Sequence, residues 1–125
     1  MSKVLDSLKY ASTHEWVKLE GKVAVVGISD FAQDSLGNIV YLETEEVGDA
    51  VVQFEEFGTV ESVKSASELL APVTGKIIEV NENVLENPEL INEDAYEHWI
   101  IKFEIEDEKE LDKLLSASDY KAELE

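Results

Sequence analysis

The sequence has no cysteine and few basic residues, and both shortages narrow the range of possible functions. Without cysteine, the 125-residue chain forms no disulfide, thiolate zinc site or iron–sulfur cluster, and it has no cysteine nucleophile. Its 29 acidic residues against 10 basic ones give a formal net charge of −19. Because such a surface repels phosphate groups, we expect neither nucleic acid nor an anionic membrane as a partner. The charge favours high solubility, and it also suits partner proteins that present basic surfaces.

Long apolar runs are also missing. No stretch approaches the ~20 apolar residues of a membrane-spanning helix, and residues 1–5 lack the apolar segment of a signal peptide. We therefore expect a soluble, cytoplasmic protein. The length suits a single domain over 1–125, and a hydrophobic fraction of 44% is enough for a core without disulfides.

Short apolar segments separated by turn residues dominate the sequence, and they are typical of β-strands. Their regular spacing predicts a β-sandwich or a small barrel. In chain order, the predicted strands cover residues 16–19, 22–27, 39–44, 57–63, 70–72, 76–80 and 99–104.

Two segments have a helical pattern instead. Residues 30–36 begin with Asp30, three positions before Gln33 as in a capping box, and Gly37 follows as a helix-ending glycine. A second helix is predicted from Asp107 towards the C-terminus, because its apolar residues recur on one face. These residues are Leu111, Leu114 and Leu115.

Lys64 stands in the middle of a short segment of small and polar residues that lies between two apolar runs. This arrangement predicts a hairpin with Lys64 at its tip, where the ammonium group is free to be acylated. Ser65 and Ala66 are small, so they leave room for a modifying enzyme. The spacing alone leaves two interpretations open, a modified lysine or an ordinary exposed one.

Known catalytic motifs are not found in the sequence. There is no GxSxG nucleophile elbow, no cluster of metal ligands and no phosphate-binding loop. His14 and Glu15 are adjacent but do not form the HExxH motif of zinc proteases. We therefore expect a protein that is not itself an enzyme.

The residues around Lys64 form a motif of two parts, at 61–67 and 71–75. Further motifs follow one another in register at 14–17, 26–33, 36–37, 47–49, 88–92 and 110–115. In order and spacing, this series resembles the glycine cleavage system H proteins over nearly the whole chain. The resemblance implies a mainly β fold, a flattened barrel-sandwich hybrid of two antiparallel sheets with short helices and a C-terminal helix. In the single lipoyl-carrier domain that it implies, the barrel core covers about 16–104 and a helical tail about 107–124.

The same resemblance implies a cofactor, lipoic acid covalently attached to Lys64. It further implies that Glu61 and Gly75 help a lipoate-attaching enzyme to recognise the hairpin. Glu61 offers a charge near the tip, and we interpret Gly75 as a residue that allows a tight turn with positive φ.

The implied function is that of a carrier whose lipoyl arm visits three enzymes. A pyridoxal-phosphate-dependent glycine decarboxylase (P protein) loads an aminomethyl group, and a folate-dependent aminomethyltransferase (T protein) removes it. Dihydrolipoamide dehydrogenase (L protein) then reoxidises the dithiol. The loaded arm is expected to fold back into a cleft whose polar groups are Thr13, Glu15 and Glu68, and we expect the carrier to be a monomer.

Several alternatives stay open at this point. An H-like relay protein that donates lipoate to other enzymes has a similar sequence, and an acidic interaction module with an unmodified Lys64 is a third possibility. Biotin carriers typically have methionine beside the lysine, whereas Val63 and Ser65 flank it here. Residues 95–99 lack the proline and glycine that are common in the family, so the sequence does not predict which contacts this loop makes with partner proteins.

Overall fold

A computed structural model describes residues 3–124 of the chain. Met1, Ser2 and Glu125, which the expected domain of 1–125 includes, lie outside the described residues. The fold is mainly β, with two antiparallel sheets, short helices and a helix at the C-terminal end, and this confirms the predicted fold class. The strands are β1 (Lys9–Tyr10), β2 (Glu15–Glu20), β3 (Val23–Ile28), β4 (Ile39–Thr44), β5 (Ala50–Val51), β6 (Glu56–Ser62), β7 (Ala66–Leu70), β8 (Gly75–Val80) and β9 (Ile101–Ile105).

The helices are short. Within residues 3–124, no helix is long and apolar enough to span a membrane. The helices are α1 (Asp30–Leu36), α2 (Glu82–Glu86), α3 (Leu90–Glu93), a 3₁₀ helix (Glu108–Lys113) and α4 (Ala117–Leu124).

The two sheets share a core between their inner faces. The larger sheet has six strands in the order β1-β2-β3-β9-β8-β5, and the smaller has three in the order β4-β6-β7. Phe57 of β6 and Phe103 of β9 are both buried and meet edge to face, with ring centroids 5.6 Å apart. Such an aromatic pair stabilises a fold by about 0.5–1.5 kcal/mol beyond the contribution of its buried area. Here the pair joins one sheet to the other.

Most of the predicted strands are confirmed, but the one placed at 70–72 is wrong. The strand is Ala66–Leu70, so it begins soon after Lys64 and ends before Pro72. Apolar residues guided the prediction, whereas this edge strand is exposed over its first three residues. Two-residue strands such as Lys9–Tyr10 give too little pattern to be recognised.

Helix α1 covers residues 30–36 as predicted, but its cap is one residue earlier. Ser29 has extended backbone angles, and its hydroxyl accepts a hydrogen bond from the Ala32 amide at 3.2 Å. It is therefore the N-cap. Asp30, which the capping-box interpretation placed there, instead accepts from the Gln33 side chain at 2.9 Å. Gly37 ends the helix as expected, with φ +82°.

The C-terminal tail differs from the single helix expected from Asp107. A 3₁₀ helix comes first, and Leu114 then leaves helical geometry with ψ 160°. Leu115 pairs with Tyr10 of the edge strand β1 through two backbone hydrogen bonds of 2.7 and 2.9 Å. This pairing provides hydrogen-bond partners for backbone groups that an edge strand otherwise leaves unpaired. It therefore favours an interruption at Leu114 over one continuous helix.

Candidate functional site

Lys64 lies at the tip of the hairpin that joins β6 to β7, and its side chain is exposed. The turn closes with a hydrogen bond from the Ser62 amide to the Ser65 carbonyl at 2.8 Å. The Ser62 hydroxyl accepts from the amides of Lys64 and Ser65, each at 3.2 Å. Serine hydroxyls stabilise turns in this way. The polar segment recognised in the sequence is therefore the turn that presents the lysine.

The hairpin tip rests on the segment that follows α1. The Val63 amide donates to the Asn38 carbonyl at 3.0 Å. A Cβ atom placed on Gly37 would lie 3.3 Å from Lys64 Cε and 3.8 Å from Lys64 Nζ. The lysine stem therefore runs over Gly37, whose backbone angles of φ +82° and ψ −153° are open almost solely to glycine.

Asn92 of α3 fixes this supporting segment. Its side-chain oxygen accepts from the Ile39 amide at 2.9 Å. Its side-chain nitrogen donates to the Gly37 carbonyl and to the Gln33 side chain, also at 2.9 Å each. One amide group thus ties α3 to the end of α1 and the start of β4, directly beneath Lys64.

Lys64 is separated from other basic residues along the sequence. It is the only basic residue between Lys22 and Lys76 in the sequence, a stretch in which acids recur throughout. The acids of this stretch are Asp30, Asp34, Glu43, Glu45, Glu46, Asp49, Glu55, Glu56, Glu61 and Glu68. Within this stretch, Lys64 therefore offers the only side-chain amine.

Glu61 lies on the same hairpin as Lys64. It is exposed on β6, where it pairs with Tyr41 of β4 on one side and Ala66 of β7 on the other. Its carboxylate is thus available to a protein that approaches the tip.

Gly75 lies elsewhere, and the interpretation that it allows a turn with positive φ is wrong. It is the first residue of β8 in the six-stranded sheet, it is buried, and it is not among the glycines with positive φ. A Cβ atom at this position would stand 2.3 Å from the Glu104 carbonyl oxygen. Glycine is required here because the β9 backbone approaches too closely for any side chain.

A cleft of about 140 Å³ opens beside the hairpin, between α1, β7 and the loop before β2. The three residues expected there, Thr13, Glu15 and Glu68, all line it. Its apolar lining includes Phe31, Leu36, Val60 and Leu69. A more open depression continues from it between residues 12–14 and residues 66–70.

Glu15 is at the closed end of this cleft, with only 1% of its surface exposed. One carboxylate oxygen accepts from the Thr13 hydroxyl, and the other accepts from the Leu70 amide at 3.0 Å. Burial disfavours the charged form and raises the pKa of Glu15 to about 7, although both hydrogen bonds oppose the shift. The group therefore takes up or releases a proton near neutral pH. Glu68, by contrast, is exposed on β7 at the open side of the cleft.

His14 also lines the cleft and has an uncommon backbone conformation, with φ +81°. Its Nδ1 is 2.8 Å from the Tyr120 hydroxyl, and its ring packs against Phe31 with centroids 4.8 Å apart. Tyr120 of α4 is also hydrogen-bonded to the buried Ser29 hydroxyl at 2.7 Å. Burial lowers the pKa of His14 and raises the pKa of Tyr120 to about 12, so both side chains are neutral at pH 7. The C-terminal helix thereby fixes one wall of the cleft, a link that no local sequence signal indicates.

Metal ligands are not gathered anywhere in the part of the chain that the structure describes. Residues 3–124 contain no group of three or more histidine, aspartate or glutamate side chains placed to hold an ion.

Comparison with known proteins connects these features to a family. Residues 8–125 match the family model described as glycine cleavage H-protein. The glycine cleavage system H protein of Carboxydothermus hydrogenoformans is 55% identical over 126 aligned positions, covering 100% of this chain and 97% of that protein. The corresponding protein of Clostridioides difficile is 52% identical, with 98% and 99% covered.

A solved structure agrees with this result. The crystal structure of a glycine cleavage system H protein from Mycobacterium marinum superposes with a TM-score of 0.86 at 31% identity, covering 97% of this chain and 98% of that one. With sequence, family model and fold in agreement, the chain belongs to the glycine cleavage H-protein family, whose members are carrier subunits of the glycine cleavage system.

Proposed function

We propose that Lys64 is the attachment site of lipoic acid and that the loaded protein carries the aminomethyl group of glycine between enzymes. The donor is the pyridoxal-phosphate-dependent glycine decarboxylase, the acceptor is the folate-dependent aminomethyltransferase, and dihydrolipoamide dehydrogenase restores the disulfide. The observation that carries the proposal is the position of Lys64, exposed at the tip of a defined hairpin and next to an acidic cleft. The protein contributes no catalytic group in this scheme.

The surroundings of Lys64 fit a lipoyl group. The amine is exposed, its small neighbours Ser65 and Ala66 are exposed with it, and Gly37, which has no side chain, lets the lysine stem pass close to the backbone. Amide formation removes one positive charge, so the formal net charge changes from −19 to −20. When bound, the lipoyl group supplies a disulfide that accepts the aminomethyl group.

The path from the hairpin tip to the cleft follows strand β7. At about 3.3 Å per residue, Ser67 and Glu68 lie roughly 10 to 13 Å along the chain from Lys64. Both residues line the cleft, and Ala66 borders the depression that precedes it. Apolar carbons of an arm that enters the cleft would be stabilised by about 0.8 kcal/mol for each methylene buried. This burial is small enough for a partner enzyme to draw the arm out again.

The polar groups of the cleft suit a protonated amine. Glu68 offers a carboxylate at the open side, and Glu15 with Thr13 offers a second one at the closed end. Because burial raises the pKa of Glu15 to about 7, an ammonium group nearby would favour its ionised form. We infer that these acids retain the amine and delay its loss to water.

A reconstituted system tests this function. Lipoylated wild-type protein is combined with the decarboxylase, the aminomethyltransferase and the dehydrogenase, and carbon dioxide release from glycine is measured. We expect the Lys64→Arg variant, which keeps the charge but forms no lipoyl amide, to show no turnover. The Lys76→Arg variant is the matched control, because Lys76 is exposed on β8, and it should behave as wild type. Turnover with Lys64→Arg would refute the proposal.

A further inference from the structure

Three large apolar side chains on and beside the hairpin that carries Lys64 face solvent. Val40, Tyr41 and Val63 expose 56%, 47% and 67% of their surface. Val63 immediately precedes Lys64, while Tyr41 lies beside Glu61 in the neighbouring strand, within the cross-strand contact distance of roughly 5 Å. Single exposed apolar residues are common, but Val40 and Tyr41 lie on β4, which pairs with the strand β6 that leads directly into the Lys64 turn.

A β-bulge produces the exposed pair Val40 and Tyr41. Ile39 and Leu42 are both buried, at 2% and 4% exposure, although residues three apart in a regular strand face opposite sides of the sheet. The pairing of β4 with β6 shifts between Ile39 and Tyr41, so β4 has one extra residue there. The shift lets both flanking residues reach the core and leaves two adjacent apolar residues on the outer face. Bulges are frequent next to functional sites, where they redirect side chains.

Acidic groups border this apolar group. The Tyr41 hydroxyl donates to the Glu43 carboxylate at 2.7 Å, and Glu61 lies between Tyr41 and the edge strand β7. The sequences of β4, β6 and β7 contain no basic residue. A partner that covers this surface therefore needs apolar contacts at its centre and basic residues around them.

We propose that Val40, Tyr41 and Val63, with Glu43 and Glu61 at their border, form the docking surface for the enzyme that attaches lipoate to Lys64. This inference rests on the proposed lipoylation of Lys64. The matching surface of the enzyme is a shallow apolar depression flanked by lysine and arginine side chains.

The attachment reaction explains why the attaching enzyme must contact the hairpin tip. The three enzymes of glycine cleavage, which act on the completed lipoyl arm, do not need this contact. The Lys64 amine attacks the carbonyl carbon of an activated lipoyl donor, an acyl-phosphate anhydride or a thioester. The amide N–C bond forms, the bond from the acyl carbon to the leaving group breaks, and the nitrogen loses its proton to solvent. Reacting atoms must come within about 3–3.5 Å, so the enzyme has to contact the residues that surround Nζ. Later reactions take place at the distant sulfur end of the arm.

Kinetics of lipoate transfer onto unmodified protein test the docking surface. The double variant Val40→Ser/Tyr41→Ser is compared with wild type and with Leu19→Ser, a control on β2 of the six-stranded sheet with a similar exposure of 42%. We expect kcat/KM for transfer to fall about tenfold or more in the double variant, as for other central interface residues, mainly through KM. The kcat/KM of the Leu19→Ser control should stay within about twofold of the wild-type value. Added salt should slow lipoate transfer to the wild-type protein.

Two further readouts separate this proposal from the proposed function. Transfer to the double variant at the wild-type rate would overturn the docking surface and leave the function of Lys64 intact, whereas a wild type that accepts no lipoate on Lys64 would overturn both. The Val40→Ser/Tyr41→Ser double variant, once it has been lipoylated, should support glycine cleavage at the wild-type rate. Unchanged transfer together with a loss of glycine cleavage would assign the surface to the cleavage enzymes and refute the attaching enzyme as its occupant. Equal melting temperatures are expected for all variants, because the substituted side chains are exposed.

Discussion

The backbone amide of Leu70 donates a hydrogen bond of 3.0 Å to the buried carboxylate of Glu15, and this contact links the two sheets. Leu70 ends β7 of the three-stranded sheet, and Glu15 begins β2 of the six-stranded sheet. The second carboxylate oxygen accepts from Thr13. Glu15 is thus an acid that the fold holds in place at the end of the cleft, and not a solvated acid at the start of a strand.

The first prediction concerns the pH dependence of stability. Burial raises the pKa of Glu15 from 4.5 to about 7, so the folded state holds a proton that the unfolded state releases in this range. The stability that this group contributes is fully present below pH 4.5 and is lost as pH rises through about 7. We therefore expect Glu15→Gln to gain stability relative to wild type between pH 4.5 and 7, by up to roughly 3 kcal/mol.

Urea denaturation of both proteins at several pH values measures this difference. Glu104→Gln, a substitution of an exposed acid on β9, is the matched control. A constant difference for Glu15→Gln across the range would show that Glu15 ionises as an ordinary exposed acid.

The second prediction concerns Gly75. A Cβ atom at this position would stand 2.3 Å from the Glu104 carbonyl oxygen, so Gly75→Ala should force β8 away from β9. We expect a loss of about 1–3 kcal/mol in the free energy of unfolding, as for other overpacked sites, while Lys76→Ala at the exposed neighbour should change it by less than about 0.5 kcal/mol. Lipoate transfer to folded Gly75→Ala protein should be near normal. A fully stable Gly75→Ala protein that resists lipoylation would instead show that the attaching enzyme contacts Gly75 directly.

The third prediction concerns the support beneath Lys64. Asn92→Ala removes three hydrogen bonds that hold Gln33, Gly37 and Ile39. The loss should cost about 1–3 kcal/mol of stability and should loosen the Gly37–Asn38 segment. Hydrogen exchange at the Val63 amide, which donates to Asn38, should therefore become faster than global unfolding accounts for.

Asn87→Ala is the control for this effect. Asn87 donates side-chain hydrogen bonds to the nearby and exposed Asn83. Unchanged exchange at Val63 in Asn92→Ala would mean that the hairpin tip is fixed by its own turn and not by the segment below it.

The fourth prediction separates the fold from the function at Lys64. The side chain is exposed, and its stem passes close to Gly37. Lys64→Arg should therefore change the free energy of unfolding by less than about 0.5 kcal/mol, measured by thermal and urea denaturation of the unmodified proteins. A large loss of stability would indicate that the lysine stem packs into the structure and is not free to carry a cofactor.

The sequence predicts the local features of the site well. Lys64 is placed on a hairpin tip because small and polar residues interrupt two apolar runs, and Gly37 is recognised as the end of α1 because helices commonly end at glycine. Each of these signals lies within a few residues of its consequence, so no knowledge of the fold is needed.

Features that depend on distant parts of the chain are not predictable in this way. The burial of Glu15 depends on Leu70, 55 residues away, and acids are usually exposed. The interpretation of Gly75 is wrong because the sequence does not distinguish a glycine needed for positive φ from one needed for a close backbone contact. The contact of Tyr120 with His14 spans 106 residues and has no counterpart in any local motif.

The central claim is that Lys64 carries lipoate, and peptide mapping by mass spectrometry of protein isolated from its own cells tests it most directly. We expect the lipoyl mass on the peptide that contains Lys64 and on none of the other nine lysines of the chain, including the sequence neighbours Lys22 and Lys76. Finding Lys64 unmodified throughout that native protein, or finding the lipoyl group on another lysine, would contradict the account.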